Sequence, residues 1–134
     1  MTRFVNSAAE AVAEIGSGEF LWSHSMAATP TVLLDAIAAR AQELQDVNIM
    51  QLHLEHAEAL ADPALEGHLR NRCFFAGKVT RELINQGRAD YVPIFLSEIP
   101  KLFRRGEQRV DTAIIQVSKP DHHGNCSLGI SVEA

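Results

Sequence analysis

The chain has 134 residues and a mass of 14.7 kDa, with 46% hydrophobic and 22% charged residues, as expected of one globular domain. Twelve Lys and Arg residues against seventeen Asp and Glu residues give a net charge of −5, which leaves no basic excess for a nucleic-acid backbone. The first six residues lack the apolar segment of a signal peptide, and no apolar run is long enough to cross a membrane. These features predict a cytoplasmic protein without nucleic-acid or membrane partners.

The first half of the chain alternates between predicted helices and strands. Ala, Val and Glu at helical spacing predict a helix over 8–15, and the apolar triplet 20–22 predicts a short strand. Thr29 is a candidate N-cap, so we expect a second helix to begin at Pro30 and to continue to Leu44. Polar and apolar residues alternate over 46–54, which predicts a second strand.

The second half continues this alternation, apart from 55–69, to which the pattern assigns no structure. Gly and Pro residues separate the remaining segments. In chain order they are an apolar run at 73–75, a helix over 79–86, a strand over 89–92, a short helix over 96–103, a strand over 110–117, a turn at 120–125 and a strand over 126–132. The order predicts an α/β layered domain with a mainly parallel sheet flanked by helices.

Ligands of open α/β sheets bind beyond the carboxyl ends of the strands. Three turns occupy such positions, at 23–29, 93–98 and 118–129. The first contains Ala27 and Ala28 just before a predicted helix, whose dipole would favour an anionic ligand. A capped turn without any ligand explains the same residues.

The turn at 118–129 is rich in residues that favour tight turns. Asp121 and Asn125 can hydrogen-bond to neighbouring backbone, and Gly124 tolerates positive φ. A hairpin between two strands explains these residues as well as a ligand site does.

Two histidine clusters raise the possibility of a metal site. His53 and His56 are three residues apart, which places them on opposite faces of a strand. His122, His123 and Cys126 form the second cluster. A structural zinc site normally has four Cys or His ligands at compact spacing. The spacing therefore argues against a bound metal.

Longer segments resemble the family of acetyl-CoA hydrolases and acyl-CoA transferases, which includes 4-hydroxybutyrate CoA-transferase. The resemblance is carried by 87–100 (GRADYVPIFLSEIP) and by 110–129, which contains VDTAIIQVS and PDHHGNCSLG. Weaker matches are AATP at 27–30 and the segment 67–77. Together they cover most of the chain in the family's order.

The resemblance implies an enzyme of two similar α/β halves with the active site between them. Its reaction uses a glutamate nucleophile, passes through a glutamyl-CoA thioester and moves CoA between an acyl-CoA and a short carboxylic acid such as acetate. Coenzyme A would be a substrate, with no tightly bound cofactor, and homo-oligomers would be possible. The turns facing the cleft would be substrate-binding, through Met26, Ala27, Ala28, Pro93, Ser97, Asp121, Gly124 and Asn125.

The family's glutamate and glycine-rich loop lie in the second half, beyond the matching segments. No catalytic residue is therefore assigned to this chain. We expect residues 1–134 to form an amino-terminal α/β domain that is truncated and inactive, or nearly so, without its second half. The alternative is a non-catalytic half or remnant that acts as an interaction module.

Overall fold

The computed structural model describes residues 3–132. Five parallel strands form one sheet in the order β4-β3-β2-β1-β5. The strands are β1 (Phe20–Ser23), β2 (Val47–Gln51), β3 (Leu69–Cys73), β4 (Ala89–Tyr91) and β5 (Thr112–Ile114). The predicted α/β layered domain with a parallel sheet is confirmed.

The described residues form four α-helices: α1 (Ala8–Val12), which precedes β1, and α2 (Thr31–Ala39), α3 (Lys78–Asn85) and α4 (Ile99–Arg104), which lie between strands. Short 3₁₀ turns add Ala41–Glu43, Glu58–Ala61, Pro63–Leu65 and Leu96–Glu98. No helix of the described residues has both the length and the apolar character needed to span a bilayer.

The two faces of the sheet bury different cores because successive strand residues point to opposite sides. Leu21 and Ile49 pack with α1 and α2 on one face, whereas Trp22 and Met50 pack with α4 on the other. On the second face the Trp22 ring meets Phe103 edge-on, with 5.3 Å between centroids. Both faces are therefore covered, as a parallel sheet requires.

Several predicted boundaries differ from the structure. The first helix ends at Val12, and the second begins at Thr31 after Pro30, with a separate 3₁₀ turn before Leu44. Thr29 is not the N-cap: its hydroxyl donates to the Met26 carbonyl at 2.8 Å and accepts from the Glu55 amide at 3.1 Å. Its side chain therefore holds the preceding turn instead of the helix.

One strand prediction was wrong, one strand is shorter than predicted and one strand was missed. Residues 126–132 contain no strand, because this segment has no neighbouring strand to pair with. β5 covers Thr112–Ile114 only, where it pairs with β1, although the pattern extended over 110–117. β3 lies in a segment that had been assigned no strand.

The strand order changes direction at β1. β2, β3 and β4 follow one another on one side of β1, and the chain then returns to place β5 on its other side. A place where the strand order changes direction is a switch point of the sheet. The loops that leave β1 and β5 diverge there, which leaves a crevice beyond the carboxyl ends of these two strands.

Candidate functional site

The turn after β1 and the loop after β2 are joined at the carboxyl edge of the sheet. The Met26 amide donates to the His53 carbonyl at 2.8 Å, and Met26 forms an isolated parallel bridge with Leu54. The Thr29 hydroxyl adds the contact to the Glu55 amide. These bonds hold the two loops as one continuous edge.

Met26 has a left-handed backbone conformation at this edge, with φ of 56°. A non-glycine residue in the left-handed region costs about 1 kcal/mol or more. The Met26 carbonyl accepts hydrogen bonds from the Thr29 amide and hydroxyl, at 3.2 and 2.8 Å. These contacts stabilise the turn and leave the Met26 side chain half exposed at the edge.

An apolar pocket of about 450 Å³ lies beside Met26, within the range of small-molecule sites. We call it the edge pocket. Its described lining residues come from the segments that follow β1, β2, β3 and β4 and from the end of the described chain: Met26, Leu52, His53, Phe75, Leu96, Ser131 and Val132. None of them carries a carboxylate, so the described lining offers an apolar surface without a nucleophilic acid.

His53 is the one titratable side chain among these lining residues. Its Nε2 atom lies 2.8 Å from Glu55 Oε1, and its other edge packs on Gly77. A Cβ atom at Gly77 would come within 2.6 Å of both Cε1 and Nδ1 of the imidazole. Glycine at 77 is therefore what allows the ring to lie along this wall.

A second cavity of about 290 Å³ lies between the β1 turn and the segment after β5. It is lined by Ala27, Ala28, Gln116, Val117, Ser118, Ser127, Leu128, Gly129, Ile130 and Ser131. Ser131 lines both this cavity and the edge pocket. The two spaces therefore share a wall at the switch point.

The structure brings the three predicted residues of the first turn together with these spaces. Met26 lines the edge pocket, while Ala27 and Ala28 line the second cavity. Pro93 and Ser97 are exposed and line neither space, although Leu96 beside Ser97 lines the edge pocket. Their roles in binding remain predictions.

Asp121, Gly124 and Asn125 form an exposed turn whose polar groups bond mainly to one another. The Asp121 carboxylate accepts from the backbone amides of Asn125 and His123, both at 2.8 Å. These bonds, the one from Asn125 foremost, hold the pKa of Asp121 below its usual range. Gly124 has φ of 82°. The turn is thus explained by its own hydrogen bonds, and a contact to substrate stays a prediction.

Sequence reasoning missed most of the edge pocket. Leu52 lies in the predicted strand over 46–54 and Phe75 in the apolar run at 73–75, so their places in these apolar segments were the available signal. His53 was considered only as a metal ligand, whereas its ring pairs with Glu55. In residues 3–132 no three His, Cys, Asp or Glu side chains are grouped so as to hold a metal ion.

Cys73 lies at the end of β3 but is not arranged as a nucleophile. The Gln51 side-chain amide donates to its sulfur at 3.2 Å. Burial raises the pKa of the thiol to about 11. Because the thiolate is the reactive form, this thiol is unreactive at neutral pH.

The chain is an open α/β sheet of parallel strands with an apolar pocket along its carboxyl edge, which is where open α/β sheets bind ligands. Comparison with known proteins then gives its family. The model of the acetyl-CoA hydrolase/transferase N-terminal domain matches residues 1–134, and the chain belongs to this family.

Similar curated proteins are CoA transferases several times longer than this chain. A succinyl-CoA:acetate/propanoyl-CoA:succinate CoA transferase of Fasciola hepatica is 43% identical over 118 residues, which are 87% of this chain and 24% of that protein. The 4-hydroxybutyrate coenzyme A transferase of Clostridium kluyveri is 40% identical over 89 residues, covering 63% of this chain and 21% of its own length. The chain thus spans about a quarter of these relatives.

Solved structures share the fold. RipA from Yersinia pestis is 30% identical, with a TM-score of 0.83 over 93% of this chain and 31% of its own. A 4-hydroxybutyrate CoA-transferase from Porphyromonas gingivalis gives a TM-score of 0.74 at 24% identity, covering 94% of this chain and 28% of its own.

Proposed function

We propose that this chain is the amino-terminal part of an acyl-CoA:carboxylate CoA-transferase, and that its edge pocket holds the acyl group. The observation that carries the proposal is the apolar lining at the carboxyl edge, formed by Met26, Leu52, Phe75 and Leu96. Such a lining favours a short hydrocarbon chain through burial of its methylene groups. Family membership supports coenzyme A as the substrate that carries the acyl group.

The reaction then needs a carboxylate that the described lining does not supply. A glutamate from a second α/β half would attack the thioester carbonyl carbon, so that the C–S bond breaks and CoA leaves as thiolate. The thiolate would attack the glutamyl carbonyl of the mixed anhydride and release the first acid as its carboxylate. The acceptor acid would repeat these steps in reverse order. Each step exchanges one acyl bond for another without any oxidant.

Exposed apolar side chains support a covering second half. Phe95 and Leu96 are 82% and 53% exposed, and Ile130 is 92% exposed. Apolar surface of this kind beside a pocket often marks an interaction site. The same observation favours the second candidate, in which the chain is a non-catalytic interaction module.

A chimera separates the two candidates. This chain would replace the matching amino-terminal part of the Fasciola hepatica transferase, and CoA transfer from succinyl-CoA to labelled acetate would be measured. Transfer by the chimera, with none by this chain alone, supports the proposed enzyme. A folded chimera without transfer contradicts it and favours the interaction module. Exchange catalysed by this chain alone would contradict the placement of the nucleophile elsewhere.

The acyl pocket is tested by substitution of its wall in the same chimera. Butyryl-CoA carries two more methylene groups than acetyl-CoA, so its binding should be about tenfold tighter if the chain is buried. Met26→Trp should remove this preference, because the larger ring fills the pocket. Val110→Trp is the control, since Val110 is 40% exposed and precedes β5 at the opposite end of the strand. Equal preference in both variants would contradict the assignment.

A further inference from the structure

His24 is buried at the switch point, where it is 1% exposed. It follows β1 directly, and its backbone amide donates to the Ile114 carbonyl at the end of β5 at 2.9 Å. Its imidazole ring contacts two later parts of the chain. Nδ1 lies 3.3 Å from the Gln116 amide nitrogen, and Nε2 lies 2.7 Å from the Ser131 carbonyl oxygen.

These two partners define the tautomer of the ring. A backbone N–H can only donate, so Nδ1 must accept from Gln116 and carry no proton. A carbonyl oxygen can only accept, so Nε2 must carry the proton and donate to Ser131. Both bonds form together only in the neutral Nε2–H imidazole, because a proton on Nδ1 would oppose the Gln116 N–H.

The segment held by His24 lies on the surface. Every residue from 115 to 130 is exposed, and the segment contains no helix or strand. Ser131 is also held by its hydroxyl, which donates to the Ser25 carbonyl at 3.2 Å. A fully buried ring with two bonds to this segment is therefore a principal anchor between it and the sheet.

We propose that His24 is a positioning residue, whose neutral Nε2–H imidazole holds Gln116 in the wall of the second cavity and Ser131 in the wall that this cavity shares with the edge pocket. Gln116 lines the second cavity and Ser131 lines both spaces. Loss of the ring would release this wall while the sheet remained intact. The role in substrate binding rests on the proposed function, whereas the role in holding the segment stands on the hydrogen bonds alone.

The test uses three variants of His24 and one matched control. His24→Phe removes both bonds, His24→Asn keeps an acceptor near Nδ1, and His24→Gln keeps a donor near Nε2. His68→Gln is the control, because His68 Nδ1 also bonds to a backbone carbonyl, that of Leu44 at 2.6 Å, but at the amino end of β3. Stability is compared across all four by chemical denaturation.

Hydrogen exchange and nitrogen NMR of this chain give the first readouts. The His24 ring should show a protonated Nε2 and an unprotonated Nδ1. Exchange of the Gln116 amide should accelerate about tenfold or more in His24→Phe, as expected when a hydrogen bond of ordinary strength is lost. It should stay near the wild-type rate in His24→Asn and His68→Gln. A protonated Nδ1, or equal exchange at Gln116 in all variants, would overturn the proposal.

Kinetics of the chimera give a measurement that would not change if His24 had a purely structural role. His24→Phe should raise the KM for butyryl-CoA several-fold with a smaller change in kcat, and His68→Gln should change neither. An unchanged KM in a folded His24→Phe variant, with faster Gln116 exchange, would overturn the link to substrate. A wild-type chimera without turnover would refute the proposed enzyme instead, and the NMR and exchange results would still decide the anchoring role.

Discussion

Gly77→Ala is the most direct test of how the edge pocket is built. Gly77 precedes α3 with φ of −78°, which alanine adopts without strain, so the backbone permits the change. The new Cβ would lie 2.6 Å from two ring atoms of His53, about 1 Å closer than carbon contacts allow. The imidazole must move, because the three heavy atoms nearest to the new Cβ all belong to the His53 side chain.

The cost follows from this displacement. Overpacking by one methyl group costs about 1–3 kcal/mol, and the lower part of this range applies because the His53 side chain is 29% exposed and can move outwards. The lost contact with Glu55 adds little, since surface ion pairs contribute about 0–1 kcal/mol. Replacing glycine at the N-cap adds a further cost of about 0.5 kcal/mol. We expect a total loss of about 2 kcal/mol in the free energy of unfolding.

Urea denaturation followed by circular dichroism measures this change in a double-mutant cycle. In a His53→Ala background Gly77→Ala should cost only its N-cap contribution, about 0.5 kcal/mol. Gly16→Ala is the matched control, because its Cβ would first meet the end of the flexible Glu19 side chain at 3.4 Å. The same cost for Gly77→Ala with and without His53 would refute the close approach as its cause.

Two further predictions concern groups with shifted pKa values. Arg70 donates to Asp90 at 2.6 and 2.9 Å, and this contact first of all lowers the pKa of Asp90. The stabilisation is therefore complete above the unfolded pKa near 4 and is lost as the pH falls through the lower folded pKa. Asp90→Asn should be less stable than wild type by a constant amount above about pH 5, with the difference shrinking below about pH 4; a constant difference down to pH 2 would contradict the assignment. Cys126 is exposed, whereas Cys73 is buried and its pKa is raised to about 11. One thiol should therefore react rapidly with a disulfide reagent at pH 7, and the second only on unfolding. In Cys126→Ser no rapid reaction should remain. A fast-reacting Cys73 would show that this end of β3 opens readily.

The alternating pattern of the chain was sufficient to predict the fold class, but β3 could not be predicted. Its sequence LRNRC places Arg70 and Arg72 on one face, where apolar residues would be expected in a buried sheet. Asp90 on the neighbouring strand pairs with Arg70, and the guanidinium of Arg72 lies 5.4 Å from the centre of the Phe20 ring. Both partners come from other strands, so the local periodicity of the sequence cannot predict them.

The prediction of a strand over 126–132 was wrong because the local pattern is present but the partner strand is not. Its residues have the composition of a strand, but hydrogen bonding to a neighbouring strand is what makes a strand, and none is paired with it in the described residues. The position of the candidate site in the fold was easier to predict from the sequence than the residues that line it. The turn with Met26 follows the carboxyl end of β1, as the sequence predicts, whereas the His24 ring bonds to Gln116 and the His53 ring packs on Gly77, which are both distant in the chain.

The placement of β5 beside β1 also determines when the site can form. The contact between Phe20 and Asp111 joins residues 91 positions apart, whereas β1 and β2 are separated by a single helical crossover. Closing so long a loop is slow. We expect the four strands from β1 to β4 to assemble first and β5 to dock last, so that protection of the His24 amide, which donates to the Ile114 carbonyl of β5, appears later than protection of β2 in pulsed hydrogen exchange. During synthesis the crevice between β1 and β5 would then be absent until residue 114 has left the ribosome.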